Sequence, residues 1–260
     1  MRATRSYTDL KQYEKCPRLL AFSLEYEPLE QPEAINTGLF THDAIFAFFR
    51  GTDWREAISK AKVEALVRAN RIEDEAKHRE ADKRIIASAD RAYQLSARYI
   101  EKWAGDYTAP IIEPELRLGN VVAHPDLIAF LKIGETEFRT IVDFKTTKSP
   151  DMRWYDISGQ VDLYAYILKE AYDDCIGLIA YDIISEEGIF RHTRPPQLKR
   201  GSVIYNMIAK LTEIAIDDSP HFQYDCPNKC AFWEACLLAE QDGNEACREY
   251  LDKYYIRRED

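Results

Sequence analysis

Within TIVDFKTTK, residues 140–148, an aspartate and a lysine stand two positions apart in strand-like sequence. Side chains alternate across a strand, so Val142 and Phe144 take the apolar face while Asp143 and Lys145 project together from the other. Alone, such a pair reads as an exposed ion pair contributing ~0–1 kcal/mol. Upstream, Glu115 in EPELRL and Asp126 in AHPDLIAF interrupt apolar, strand-like runs. Downstream, Gln160 and Tyr164 are four apart and share a helix face, as do Gly38 and His42 earlier. Each has a dull reading alone; together they have a shared chemical use. Two carboxylates and an imidazole can hold a hard divalent cation such as Mg²⁺ or Mn²⁺, and a lysine beside them can stabilise charge on a phosphate or orient water. A phosphodiester needs both services at once.

A second set is thiol-based. CPNKCAFWEAC supplies Cys226, Cys230 and Cys236, with Cys16 far upstream in YEKCPR. Four thiolates can hold zinc or an iron-sulfur cluster, and spacing does not separate the two. Cys247 is the reserve ligand. Cys175 opens an apparent strand and is read as a small buried hydrophobe.

These residues need elements to position them. Ser6 with Asp9 three residues later resembles a capping box, predicting a short helix from about residue 8 towards Cys16, where Pro17 ends or kinks it. Residues 38–49 have helical character, and from 54 to 103 apolar residues such as Ile85, Ala89, Ala92, Ile100 and Trp103 recur near helical spacing. After Gly105 come three short apolar runs, IIEPELRL, VVAHPDLIAFL and EFRTIVDFKTT, which read as a meander. Ser149-Pro150-Asp151 opens a helix through GQVDLYAYILKEA, CIGLIAYDII and GIFRHT read as strands, and a helix over about 197–216 follows. The pattern predicts an α/β fold with a mixed sheet. A single domain over 1–260 is expected, with a mainly helical region at 1–104, the catalytic α/β core at 105–216 and a Cys-rich segment at 217–260.

With 46% hydrophobic and 31% charged residues, the 260-residue chain is ordinary globular material able to bury a full core. No apolar signal core opens the chain, and the longest apolar stretches fall far short of the ~20 residues that span a bilayer, so a soluble, cytoplasmic protein without a membrane partner is expected. Its cysteines then read as thiols or metal ligands rather than disulfides. The net charge of −10 opposes a nucleic-acid partner, but it is uneven. Residues 60–102 carry 11 Lys or Arg against 8 Asp or Glu, whereas 213–260 carry 5 against 12. A basic lobe can coexist with an acidic chain, although charge alone reads as solvated helix faces.

The ordered series of a helix His after a Gly, a strand Glu, a strand Asp, an Asp-x-Lys and a Gln with Tyr four later resembles the PD-(D/E)XK nuclease superfamily and, within it, the RecB-like branch. His42, Glu115, Asp126, Asp143 with Lys145, and Gln160 with Tyr164 match in that order. The resemblance implies a restriction-endonuclease-like core with a mixed central sheet, an N-terminal helical region and a Cys-stapled C-terminal segment. It implies metal binding by His42, Asp126, Asp143 and the Phe144 carbonyl, with Glu115 supporting the site, Lys145 activating water or stabilising the transition state, and Gln160 and Tyr164 steadying the site or the DNA backbone. Where the family often has Gly three residues before the motif Asp, this chain has Ala123, then His124 and Pro125; the proline suggests an edge strand or bulge, and His124 is read as filling space.

The early Cys16 and late Cys226, Cys230 and Cys236 resemble those of iron-sulfur members, the AddB-type subunits and CRISPR-associated adaptation nucleases, implying a structural [4Fe-4S] cluster with zinc as runner-up. Those members space the late cysteines by two then five residues, where this chain has three then five. The function expected is a Mg²⁺- or Mn²⁺-dependent DNA nuclease, an exonuclease acting on single strands or ends. No Walker A motif appears, so a helicase or recombination protein would be a partner chain. The rivals are a non-catalytic DNA-binding or scaffolding subunit that keeps the nuclease fold, and a zinc-stapled protein unrelated to nucleic acid.

Overall fold

A computed structural model describes residues 4–29, 31–211 and 230–258. The chain forms two compact units, Gln31–Tyr205 and Met1–Glu30 with Asn206–Asp260. In the larger unit, helices α3 (Glu33–Phe49), α4 (Trp54–Ala69) and α5 (Glu75–Lys102) precede the sheet. The helical stretch expected over 54–103 is thus two helices. Asp74 divides it by accepting from the backbone N–H groups of Ala76 and Lys77, which caps α5. On α5, Ala81, Ile85, Ser88, Ala89, Ala92, Leu95, Ser96 and Tyr99 make the buried stripe.

The central sheet runs β2 (Tyr107–Ile112), β5 (Leu127–Ile133), β6 (Thr136–Thr146), β7 (Leu178–Ile184), β8 (Ile189–Arg194). β6 and β7 are parallel and the other pairs antiparallel, so the sheet is mixed, as in a restriction-endonuclease-like core. The first two expected strands each break in two. Pro114 and Pro125 cannot donate to a ladder, and between them β3 (Leu116–Leu118) and β4 (Val121–Ala123) pair as a separate hairpin turned at Gly119, whose φ is 54°. β2, β5 and β6 still form the meander. The crossover from β6 to its parallel neighbour β7 carries two helices, α6 (Met152–Ile157) and α7 (Gln160–Tyr172). α8 (Leu198–Leu211) follows, and its Gly201 lies where a Cβ would collide with the Asp162 carbonyl of α7, so only glycine permits that approach.

One apolar layer joins Ile45 and Phe46 of α3, Leu95 and Tyr99 of α5, and Leu127, Val142, Phe144, Ala180 and Ile184 of the sheet. Asp182 and Asp162, both fully buried, are paired. Asp182 accepts from Tyr99 and Tyr107 hydroxyls at 2.8 Å each and from Arg191 Nε at 2.6 Å. Asp162 pairs with Arg194 at 2.8 Å, while Arg194 also donates to the carbonyls of Tyr155 and Ser158. A buried charge without its partner is strongly destabilising, so these pairs fix β7, β8 and the α6–α7 junction in place.

In the terminal unit, α1 (Tyr7–Lys15) opens with the expected Ser6–Asp9 capping box, and Pro17 begins α2 (Pro17–Glu25). Strand β1 (Tyr26–Pro28) pairs antiparallel with Tyr255–Arg257, which ties the two ends of the chain together. Tyr26, Phe232, Ala235, Cys247 and Leu251 form this unit's apolar cluster, built partly by the helices Trp233–Gln241 and Gly243–Tyr254. No described helix is long and apolar enough to cross a membrane.

Candidate active site

The alternation expected along β6 holds. Val142 and Phe144 are buried in the apolar layer, Asp143 is 3% exposed, and the Lys145 side chain is one-third exposed. Lys145 Nζ lies 2.6 Å from Asp143 Oδ2. Burial alone would lower the ammonium's pKa, but the Asp143 carboxylate outweighs it, with Asp126 adding, and Lys145 is held above its ordinary value. The lysine is a fixed positive charge at neutral pH.

The peptide of Phe144 organises the rest. Its N–H donates to Asp126 Oδ2 at 2.7 Å, and its carbonyl lies 3.1 Å from His42 Nε2. His42 Nδ1 is 3.8 Å from Asp126 Oδ1. α3 delivers the imidazole to the end of β6, where Gly38, one turn earlier, leaves room beside Thr146. Asp126 sits immediately before β5, and burial raises its pKa to about 6, with Asp143 adding to the rise while His42 and Lys145 oppose it. From α7, Gln160 Nε2 donates to the Tyr164 hydroxyl at 2.6 Å. Tyr164 is buried, its pKa raised by that burial and then by Asp143 and Asp126.

Glu115 stands apart. It is exposed in the turn before β3, accepts from Arg117 at 3.0 Å, and lines an open pocket with Arg139, Tyr172 and Asp174. Glu115 is not within a strand, since β2 ends at Ile112 and β3 begins at Leu116, with Pro114 in the segment between them. His124 also differs from expectation: it is exposed in the break before Asp126 and fills no interior space.

Sequence reasoning missed the aromatic group beside Lys145. Tyr181 of β7 is the register partner of Asp143 and packs on Tyr155 of α6 with ring centroids 5.0 Å apart, and Tyr155 in turn feels Lys145 and Asp143. The WY pair in MRWYDI, soon after the Asp-x-Lys strand, was the available signal.

Among the described residues no three His, Cys, Asp or Glu side chains close on one point as a ready metal site. Each donor is engaged within the protein: Asp143 by Lys145, Asp126 by the Phe144 N–H, His42 by the Phe144 carbonyl. The donor chemistry nevertheless fits a hard divalent cation. Asp143 Oδ2 is buried and accepts no well-aligned hydrogen bond despite its contact with Lys145, and the half-buried Asp126 carboxylate, its pKa raised to about 6, would be favoured in its charged form by a cation.

The terminal unit gathers thiols. Cys16 joins α1 to α2 and is buried. Burial pushes the Cys236 thiol up to about 12, with Arg18 opposing the rise and Cys230, Cys16 and Cys247 adding to it, yet no three of these thiols close on one point as a ready metal site among the described residues. Burial also raises the Cys247 thiol, again opposed by Arg18. Cys226 lies outside the described residues. Cys175 is exposed before β7 rather than buried in it, because the strand begins only at Leu178.

Among solved structures, the chain is similar to one titled "Crystal structure of SSO0001", at 15% identity over 63% of this chain and 78% of that one, with a TM-score of 0.33. No curated protein gives a significant match. Residues 4–237 match the family model described as the PD-(D/E)XK nuclease superfamily. That match spans the Asp-Asp-Lys group, the histidine and the Gln-Tyr pair together, and the chain belongs to the PD-(D/E)XK nuclease superfamily.

Proposed function

We propose that the protein is a Mg²⁺- or Mn²⁺-dependent deoxyribonuclease, an exonuclease acting on single strands or DNA ends. The observation that carries this reading is the junction at Phe144, where one peptide group holds Asp126 and His42 while the flanking Asp143 and Lys145 pair beside it. His42, Asp126, Asp143 and the Phe144 carbonyl would hold the cation, which when bound supplies Lewis-acid stabilisation of phosphate charge and lowers the pKa of water.

The chain's own groups do the rest. Lys145 places a permanent positive charge at a largely buried position, where it orients water and stabilises charge developing on the phosphate. Its pairing with Asp143 keeps the ammonium aimed rather than sweeping solvent. Gln160 and Tyr164, joined by their hydrogen bond, close the α7 side and steady the carboxylates or the DNA backbone. Glu115 is assigned no part in the chemistry, given its place in the turn.

The thiols serve a separate purpose. Cys16 with Cys226, Cys230 and Cys236 would hold a structural [4Fe-4S] cluster, with zinc as the runner-up metal. Support comes from the shared neighbourhood of Cys16, Cys230 and Cys236, in a unit whose two chain ends already pair as strands. Cys247, in the same neighbourhood, is the replacement ligand should Cys226 not serve. A helicase or recombination protein is the partner proposed for unwinding.

Incubating the purified protein with end-labelled DNA and Mg²⁺, Mn²⁺ or no metal tests the reading. Metal-dependent release of labelled nucleotides is expected, and Asp126→Ala and Asp143→Ala should each lose both activity and Mn²⁺ heat in titration calorimetry. Undiminished Mn²⁺ affinity in both variants would overturn the ligand assignment.

A further inference from the structure

Beside Lys145, helix α6 turns one aromatic ring inward and another outward. Tyr155 is buried against Tyr181, while Trp154 is 60% exposed and Ile157, three residues on and so on the same face, is 65% exposed. A tryptophan that open on a soluble surface carries a cost unless something covers it. The helix that holds it is short but firmly seated. Asp151 caps its start by accepting from Arg153 N–H, Arg194 grips the carbonyls of Tyr155 and Ser158 at its end, and His192 Nε2 lies 2.9 Å from Asp156 Oδ1.

Its surroundings name the occupant. Tyr155 packs on Tyr181, the register partner of Asp143, so α6, and with it the neighbouring Trp154, borders the Asp-x-Lys strand end. Arg153, which precedes the indole, is paired with Asp151 at 2.9 Å, and the cation nearest in sequence outside α6 is exposed Lys148 on the short connection from β6. On α3, Ile35 and Leu39, each 48% exposed, lead at helical spacing to His42. An open aromatic ring on a helix beside a phosphate site matches a nucleotide base, which offers a π-face.

We infer that Trp154 is a stacking platform for an unpaired base adjoining the scissile phosphate, so that the strand must be single-stranded where it enters the site. This rests on the nuclease reading and sharpens its substrate. Inside a duplex both faces of a base are occupied by its neighbours in the stack, so an internal base reaches the platform only after local unpairing.

The test compares wild type, Trp154→Ala and Trp154→Phe by fluorescence anisotropy, with Ca²⁺ in place of Mg²⁺, on a labelled oligo-dT 20-mer and on an abasic strand with the same number of phosphates. Hydrolysis of bis(p-nitrophenyl) phosphate with Mn²⁺ reports the chemistry without a base. Trp154→Ala should weaken oligo-dT binding about 5–100-fold and Trp154→Phe should restore most of it, as expected for loss and return of one stacked base. The abasic strand should bind wild type and Trp154→Ala alike, and diester hydrolysis should be unchanged. Oligo-dT binding by Trp154→Ala within two-fold of wild type, or equal losses on both strands, would overturn the platform while leaving the nuclease reading intact. A wild type that neither binds DNA nor hydrolyses the diester would instead sink the nuclease reading, and the platform with it.

Discussion

The two candidate metal regions are assembled in opposite ways. Around Phe144 each donor already has a protein partner, an ammonium, a backbone N–H or a backbone carbonyl, and β6, which carries Asp143 and Phe144, is packed into the apolar layer. In the terminal unit the thiols share a neighbourhood, but burial holds the Cys236 proton on, and the surrounding apolar cluster is small. The first arrangement is held by the fold and needs a cation only for chemistry. In the second, burial disfavours the charged forms of Cys236 and Cys247, so the ligation proposed for this unit would tie its stability to the metal.

The largest effect expected from this contrast falls on the thiols. If Cys16 ligates a [4Fe-4S] cluster, anaerobically purified protein should be brown, and Cys16→Ser should bleach it and destabilise the terminal unit. Metal binding in small thiolate-held domains carries on the order of 10 kcal/mol of folding free energy. Optical spectra, iron and zinc analysis and thermal melts read this out. Colourless protein with one zinc would change the metal but keep the contrast, whereas an unaltered melt after metal removal would break it.

Next comes the protein-held side. Asp182→Asn leaves Arg191 only its 2.8 Å pairing with Asp106 and removes the charge on which the Tyr99 and Tyr107 hydroxyls converge, so urea unfolding should show a loss of about 3 kcal/mol, the lower end for breaking a buried pair. A loss below 1 kcal/mol would mean that the layer behind Phe144 is not fixed by this pairing.

Lys145→Ala should cut DNA cleavage about 10²–10³-fold, the scale for removing one positioned charge-stabilising donor. It should also cost some stability, since Asp143 stays buried without its counter-ion. A cooperative melt with cleavage lost assigns Lys145 to chemistry, and a chain that no longer melts cooperatively would make the pair structural. Cys175→Ser is the smallest change. At an exposed position outside both regions it should alter stability by no more than ~0.5 kcal/mol and leave any colour intact, and bleaching would bring Cys175 into the thiol group.

Much of the site was legible because period-2 alternation and helical spacing are local properties. Asp143 and Lys145 had to share a face once β6 was a strand, and Gln160 had to meet Tyr164 once α7 was a helix. The capping box at Ser6 and the stop at Pro17 followed from side-chain chemistry within a few residues. Glu115 and Cys175 misled for the same local reason, as apolar runs show that a strand is near but not the residue at which proline or the end of a ladder cuts it.

What the sequence determined by itself is the set of reacting groups and their local facing: a lysine and aspartate on one strand face, a histidine on a helix, a carboxylate before a strand. Only the tertiary structure decided that the Phe144 peptide is where His42 and Asp126 meet, that Tyr181 is the neighbour of Asp143, and that Cys247 joins the thiols. Those pairings depend on strand order and register between segments tens of residues apart, which no spacing along the chain encodes, because they are selected by burial of the whole apolar layer rather than by any one stretch.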